Sequence, residues 1–373
     1  MAGNIMDYLQ WRGDLSFERS PFNEVDNLIL SELAYVTMDG IVPAEGMDSL
    51  SLWELYERYQ QSGNEPAAPY NDPDPLMALA AKTERFRNMR VARYVNLVDA
   101  QRSVQFSAVT FLPEDGTMYI AFRGTDNTLV GWREDCNFSY LHQTPGQLAA
   151  ARYVDSTAAL FDLPLRIGGH SKGGNLAVYG GAFCSEYVRK NRILKIYSND
   201  GPGFNHSIID SDEYASVVEK VEKILPESSL VGILLSGEEK RRIIQSSAKG
   251  IHQHHPMTWC VLGTSFVEAE SLSSVSMLMN ETLERWLDTL SDEERRLFVS
   301  TVFDSIESSG AKTLEDVKSN KRAAYTAIVK AGSALPAERS REMMSLLSRL
   351  AVTGKEVFWE EAKKRFQMGA EES

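Results

Sequence analysis

The chain has 373 residues, of which 43% are hydrophobic and 24% charged, and its formal net charge is −13 at pH 7. This negative charge argues against a nucleic-acid partner, because phosphate binding needs a basic face. No apolar run approaches the roughly 20 residues of a membrane span, and the N-terminus lacks the pattern of a secretory signal. Three scattered cysteines indicate reduced thiols rather than a disulfide framework, so we expect a cytoplasmic protein.

The first hundred residues have mainly helical patterning. Apolar residues recur at near-helical spacing in "NEVDNLILSELAYV" and again in "SLWELYERYQQ". The proline-rich stretch "EPAAPYNDPDP" is a loop, because proline cannot continue a helix. The following segment, "DPLMALAAKTERFRNMRVARYVN", predicts a further helix over residues 74–96.

Beyond residue 103, strand and helix patterns alternate. The predicted strands are "SVQFSAVTFL", "TMYIAFRG", "PLRIGG" and "ILKIYSN", and the apolar stretches "VEKIL" and "RRIIQSS" follow them. Helices are predicted at "PGQLAAARYVDSTAALFD" and from about Asn175. This alternation predicts an α/β fold with a mainly parallel central sheet and helices on both faces. We expect this domain to span residues 1–267, including the helical segment 1–100. Residues 268–373 form a helical appendage that could mediate homo-oligomer formation.

The segment Gly169-His170-Ser171-Lys172-Gly173 matches G-x-S-x-G, between a predicted strand and a predicted helix. A nucleophile at the top of a parallel sheet lies on a sharp strand-to-helix turn, where side chains two residues away would collide. The following helix directs its positive end at the serine, and the Lys172 N–H can face an oxyanion. The pattern predicts that Ser171 is a nucleophile. The alternative is a glycine-rich turn without chemistry.

A serine hydroxyl needs a base that takes its proton. In the hydrolase arrangement, the order along the chain is serine, acid, histidine. The cluster in "GIHQHHPMTW" lies 81 to 84 residues after Ser171, and we expect it to follow the last sheet strand. His254 is the first choice for the base, His255 the second and His252 the third. No matched Cys, Asp or Glu spacing supports a metal site there.

Two carboxylates fit the chain order for the acid that orients the imidazole. Asp200 follows the strand "ILKIYSN" and opens "DGPGF". Glu227 follows "VEKIL". Asp200 has the stronger local context, because Gly201, Pro202 and Gly203 shape a fixed turn, but Glu227 remains an alternative.

The stretches "YIAFRGTDNTLVGWREDCNFSY" and "GGHSKGGNLA" resemble class 3 lipases of the α/β-hydrolase superfamily, which carry F-R-G-[ST], W-x-x-D and G-H-S-x-G-G. More closely, residues 5 to 262 resemble the Mbeg1-like group, a bacterial domain family of unknown function, through "YLQWRGDLSF", "NDGPGF", "PESSLVGILL" and "HQHHPMTW". The resemblance implies that Thr125 forms the oxyanion hole together with Lys172. It also implies that Ser171 and His254 are the nucleophile and base.

Class 3 lipases usually have leucine after the serine, where this chain has Lys172. That side chain either favours an acidic or polar substrate or is solvated in the first helical turn, and we expect the solvated state.

These residues predict a serine esterase or lipase that acts on a small-molecule or lipid acyl substrate and needs no cofactor or metal. The alternatives are a serine peptidase and a catalytically weak or inactive hydrolase fold that serves as a scaffold, since fold does not fix function.

Overall fold

The computed structural model describes residues 2–67, 72–99, 104–126, 141, 143–235, 237–307 and 337–371. The predicted W-x-x-D motif (Trp132 to Asp135), Cys136 and His142 lie outside the described residues. Cys184 and Cys260 are free thiols.

An eight-stranded sheet, ordered as the strands occur along the chain, forms the centre of the fold. Its strands are β1 (Ser49–Ser51), β2 (Arg90–Asp99), β3 (Val104–Leu112), β4 (Met118–Phe122), β5 (Leu165–His170), β6 (Ile193–Asn199), β7 (Val221–Pro226) and β8 (Lys240–Ile244). Neighbours from β1 to β4 are antiparallel, whereas β4 to β8 are parallel. A separate antiparallel pair contains β9 (Val261–Leu262) and β10 (Ser265–Phe266).

Helices cover both faces of this sheet. The elements before the sheet's parallel half are α1 (Ile5–Arg12), α2 (Glu24–Leu33), α3 (Leu52–Ser62) and α4 (Pro73–Ala80). Those that follow are α5 (Pro145–Leu160), α6 (Lys172–Phe183), α7 (Glu186–Asn191), α8 (His206–Ile209) and α9 (Asp212–Ala215). One apolar cluster joins α1 to α4 with residues such as Tyr119 and Ala121 of β4. A second cluster joins α5 and α6 with Ile120 and Phe122. Successive side chains of β4 point to opposite faces of the sheet, and these two clusters cover both faces, so β4 is buried throughout. The chain therefore has the predicted α/β-hydrolase-like architecture.

The predicted helix over residues 74–96 is wrong in its second half. Helix α4 ends at Ala80, and Arg90–Asp99 forms strand β2, which pairs with β3. The register shifts between Ala92 and Val95, where Arg93 has a positive φ of 54°. Pairing with β3 and burial of Val91, Ala92 and Tyr94 outweigh the local helical spacing of the apolar residues. Strand β1 was not predicted either.

The C-terminal helices are α10 (Ser274–Asp288), α11 (Asp292–Glu307) and α12 (Ala337–Glu371). Trp286 of α10 and Leu290, which follows this helix, form a buried cluster with Met343 and Leu346 of α12, separate from the two clusters on the sheet. Within the described ranges, none of the helices combines the length and apolar character needed to cross a bilayer.

The topology brings three chain segments to one edge of the sheet. Strands β5, β6 and β7 are parallel neighbours and end at His170, Asn199 and Pro226. Their carboxyl ends therefore share an edge, which is where open α/β sheets bind ligands. Ser171, Asp200 and Glu227 are the next residues along the chain.

Candidate active site

Ser171 lies on a strained turn between β5 and α6. Its φ of 58° and ψ of −131° fall in a region that residues other than glycine rarely adopt. A Cβ on Gly169 would lie 2.3 Å from the Gly173 carbonyl carbon, and a Cβ on Gly173 would lie 2.1 Å from the Phe122 carbonyl oxygen. Backbone atoms cannot move aside as a flexible side chain can. Both glycines are therefore required by the close packing of strand, turn and helix.

A buried network of polar side chains links helix α2 to the serine turn. The Asn199 side-chain amide donates to the Gly169 carbonyl oxygen at 3.2 Å, and Asn27 of α2 donates to the Asn199 Oδ1 at 2.9 Å. The Tyr119 hydroxyl donates to the Asn27 Oδ1 at 2.7 Å. Because buried amides are costly unless hydrogen-bonded, these reciprocal bonds tie helix α2 to β4, β5 and β6.

Asp200 is fully buried and starts the loop after β6. Its φ of 49° is left-handed, which turns the chain sharply at the sheet edge. Its Oδ1 accepts hydrogen bonds from the Ser229 hydroxyl and, at 3.1 Å, from the Gly232 N–H. A Cβ on Gly232 would lie 2.3 Å from this Oδ1, so only glycine allows the approach. These bonds fix the carboxylate and leave Oδ2 for another donor.

That donor is His254, whose Nδ1 lies 2.6 Å from the Asp200 Oδ2. The imidazole is about one quarter exposed, at 23%, whereas the carboxylate is fully buried. His254 ends a 3₁₀ helix, Gly250–His254, in the loop between β8 and β9. The arrangement is a carboxylate–imidazole pair with one side buried and the other open to solvent.

Gln253 anchors the 3₁₀ helix that carries His254. Its Oε1 accepts from the Ser228 N–H at 2.6 Å, and its Nε2 donates to the Ala248 carbonyl at 3.1 Å. The Trp259 indole N–H donates to the Gln253 carbonyl at 2.8 Å. Gln253 and Trp259 are both buried, so the imidazole projects from a fixed backbone.

The alternative candidates lie elsewhere. The Glu227 carboxylate accepts from the Gln253 Nε2 at 3.3 Å and makes no hydrogen bond to His254. His255 accepts the Met257 N–H at Nδ1, while its Nε2 lies 3.8 Å from Asp72. His252 is exposed. Across the described ranges, no cluster of three or more His, Cys, Asp or Glu side chains is arranged to hold a metal ion.

The backbone around Thr125 lies next to the serine turn. A Cβ on Gly124 would lie 2.5 Å from the His170 carbonyl oxygen and 3.2 Å from the Ser171 Cβ. Thr125 follows directly and is buried. Lys172 is the first residue of α6, so its N–H lies at the positive end of a 12-residue helix. Two backbone segments with candidate oxyanion donors thus flank Ser171.

The expectation that the Lys172 side chain is solvated is wrong. Lys172 is only 1% exposed. Its Nζ donates to the Gln105 carbonyl oxygen at 3.0 Å and to the Gln105 Oε1. The long apolar stem packs inside, and oxygens of strand β3 compensate the buried ammonium group.

Several residues that shape the site were not singled out from the sequence. Ser229 and Gly232 hold Asp200, Gln253 holds the His254 helix, and Asn27 supports the turn. One signal was present: Asn27 and Ser31 are four residues apart, so they lie on the same face of helix α2. Such a polar stripe on a buried helix face indicates buried polar partners.

Solved structures that resemble the chain include lipases. M37 lipase is 14% identical with a TM-score of 0.37, covering 56% of this chain and 69% of that one. The Rhizomucor miehei lipase–propeptide complex is 13% identical with a TM-score of 0.37, covering 58% and 82%. The lipase from Rhizopus microsporus var. chinensis is 13% identical with a TM-score of 0.36, covering 65% and 89%. Likeness at this level does not indicate what the present chain acts on.

No curated protein matched the chain. A family model does match it: the Mbeg1-like model covers residues 80–304, which is more than half of the chain. The matched region contains the serine turn, the Asp200 loop and the His254 helix. The chain therefore belongs to the Mbeg1-like family.

Proposed function

We propose that the protein is a serine hydrolase that cleaves an acyl ester bond of a small-molecule or lipid substrate. Ser171 is the nucleophile, His254 the general base and Asp200 the acid. The N–H groups of Thr125 and Lys172 form the oxyanion hole. The Lys172 side chain has no role in the oxyanion hole, because its Nζ is directed to Gln105.

The observation that carries the proposal is the 2.6 Å hydrogen bond between the His254 Nδ1 and the buried Asp200 Oδ2. A carboxylate only accepts, so this bond requires a proton on Nδ1 and leaves Nε2 as a base in the neutral imidazole. The strained backbone of Ser171 supports the same proposal, because backbone strain of this kind concentrates at functional sites.

In the first half of the reaction, the Ser171 Oγ attacks the carbonyl carbon while its proton passes to the His254 Nε2. The carbonyl oxygen becomes an oxyanion that accepts hydrogen bonds from the Thr125 and Lys172 N–H groups. The imidazolium that forms is stabilised by Asp200. The carbon–oxygen bond to the alcohol then breaks, and the alcohol leaves with the proton from Nε2, so an acyl-serine remains.

In the second half, water takes the place of the alcohol. His254 accepts a proton from the water as its oxygen attacks the acyl carbon. The bond to the Ser171 Oγ breaks, and the proton returns to that oxygen. The products are a carboxylic acid and the original enzyme, and no cofactor takes part.

A fluorophosphonate probe tests the nucleophile directly, because it forms a covalent bond with activated serines. We expect the wild-type protein to be labelled and Ser171→Ala to remain unlabelled. Ser265→Ala removes an exposed serine on β10 and is the matched control, for which we expect labelling equal to that of the wild type. Short p-nitrophenyl esters, assayed with the same proteins, should be hydrolysed by the wild type and the control only.

Two results would contradict the proposal. Labelling of Ser171→Ala at the wild-type rate would place the reactive group elsewhere. A folded wild-type protein that is not labelled and does not turn over these esters would favour the scaffold alternative.

A further inference from the structure

The residue before the nucleophile, His170, is a buried histidine with partners on both ring nitrogens. Its side chain is 2% exposed. Its Nε2 lies 2.9 Å from the main-chain carbonyl oxygen of His254. A carbonyl oxygen only accepts, so Nε2 carries a proton and donates it to this oxygen. The nucleophile turn is thereby hydrogen-bonded to the backbone of the residue proposed as the base.

The second nitrogen of His170 faces helix α2. Its Nδ1 lies 3.3 Å from the Glu32 Oε1 and 3.5 Å from the Tyr35 hydroxyl. Glu32 is fully buried. The Tyr35 hydroxyl can donate to this nitrogen when it carries no proton. Burial, followed by the neighbouring His254, lowers the pKa of the His170 imidazole well below its usual value near 6.5.

The two imidazoles are also in direct contact. The ring centroids of His170 and His254 are 4.6 Å apart with an interplanar angle of 34°. The Trp259 ring packs edge-on against His170 at 6.2 Å, and its indole N–H holds the neighbouring Gln253 carbonyl. Two successive carbonyls of the 3₁₀ helix, those of Gln253 and His254, are thus held by buried aromatic donors.

We propose that His170, as the neutral Nε2–H tautomer, is a positioning residue for His254, whose main-chain carbonyl oxygen accepts the hydrogen bond from Nε2. Its role in catalysis rests on the function proposed above. The hydrogen bond from Nε2 fixes the backbone of His254, and Asp200 fixes its ring. Together they determine where the free Nε2 of His254 points.

A neutral His170 also suits the reaction. His254 becomes an imidazolium when it takes the serine proton. A charged His170 whose ring lies 4.6 Å away would oppose that charge, whereas a neutral one does not. The groups that face His170 are Glu32, Tyr35, His254 and Trp259, with His255 acting at longer range.

The experiment compares His170→Leu with His170→Gln in the full-length protein. Leucine removes the donor, whereas the glutamine amide can still donate to the His254 carbonyl. We expect kcat for a p-nitrophenyl ester to fall about 100-fold in His170→Leu with little change in KM, because a misplaced base loses about that much. In His170→Gln, kcat should stay within about threefold of the wild type. A purely structural role would lower the fraction of active protein without separating the two variants.

A second readout does not depend on activity. Histidine NMR of the wild type at pH 7 should identify His170 as the Nε2–H tautomer and should detect the Nδ1–H proton of His254. We expect that His254 signal to persist in His170→Gln and to broaden or disappear in His170→Leu. If the NMR results hold and the wild type has no esterase activity, the proposed function fails while the positioning of His254 stands.

Either of two results would overturn the inference: an Nδ1–H tautomer or an imidazolium for His170 in the wild type, or a folded His170→Leu that keeps both the wild-type kcat and the His254 signal. The tautomer measurement needs only the wild type, so it decides the matter even if His170→Leu does not fold.

Discussion

Asp200→Asn is the sharpest test of the site, because the surrounding hydrogen bonds determine how the asparagine must lie. The Asp200 Oδ1 accepts from the Gly232 N–H, which can only donate. An asparagine must therefore keep its oxygen at this position and turn its NH₂ group towards His254. The His254 Nδ1 would then accept a hydrogen bond, and its proton would move to Nε2. In this tautomer the imidazole cannot take the proton from Ser171.

The expected loss follows from this change of tautomer. In a serine–histidine–aspartate triad, the same isosteric change lowers kcat by about 10⁴. This corresponds to about 5.5 kcal/mol of transition-state stabilisation, at about 1.4 kcal/mol for each factor of ten. Because asparagine has the same shape and retains the bond from Gly232, we expect the fold to remain intact. The assay is steady-state hydrolysis of a p-nitrophenyl ester, together with the rate of fluorophosphonate labelling.

Glu227→Gln is the matched control, because it makes the same chemical change in the alternative acid. Its carboxylate contacts Gln253 and not His254, so we expect kcat within about threefold of the wild type. If Asp200→Asn retained kcat within tenfold of the wild type, or if Glu227→Gln lost as much as Asp200→Asn, the assignment of the acid would be refuted.

Three further predictions concern the packing, the buried lysine and the pH dependence of stability. Gly173→Ala places a Cβ 2.1 Å from the Phe122 carbonyl oxygen, so it should lower the free energy of unfolding in urea by about 3 kcal/mol. The control is Gly180→Ala in α6, where the nearest atom to the new Cβ is 3.3 Å away, and it should change this free energy by less than about 1 kcal/mol. Lys172→Met leaves oxygens of Gln105 without the lysine donor, so we expect the free energy of unfolding in urea to fall by about 1–3 kcal/mol. The ratio of kcat/KM between an acidic and a neutral ester should stay unchanged, and a shift in that ratio would indicate that the lysine contacts substrate. His170→Gln removes an imidazole whose pKa burial holds well below 6.5. In the wild type the unfolded state binds this proton and the folded state does not, so the wild type should lose stability relative to His170→Gln as the pH falls below about 6.5, by up to about 1.4 kcal/mol per pH unit. Unfolding free energies that stay parallel between about pH 7 and pH 5.5 would contradict a neutral His170.

The serine turn was predictable from sequence because its requirements are local. Gly169 and Gly173 are needed wherever strand, turn and helix pack this closely. The residues before and after this turn have the patterns of a strand and of a helix. The alternating strands and helices of the parallel half follow from periodicity in the same way. Strand β2 could not be separated from a helix, because its apolar residues recur at near-helical spacing and its strand form depends on pairing with β3.

The partners of each side chain could not be predicted. Asp200 and Glu227 are equivalent by chain order, and only the positions of Ser229, Gly232 and Gln253 separate them. The surroundings of Lys172 depend on Gln105, which is 67 residues away. Glu32 precedes His170 by 138 positions, so their contact exists only once α2 packs against the sheet.

Helix α2 has a practical consequence for work with shorter forms of the protein. The family match begins at residue 80, yet Asn27 and Glu32 lie well before it and hold Asn199 and His170 from beneath. An expression fragment trimmed to the matched region would leave those amide and imidazole groups facing an empty groove. Any minimal version of the protein must therefore begin upstream of residue 24, and a homologue lacking that helix would need other polar groups in the same place.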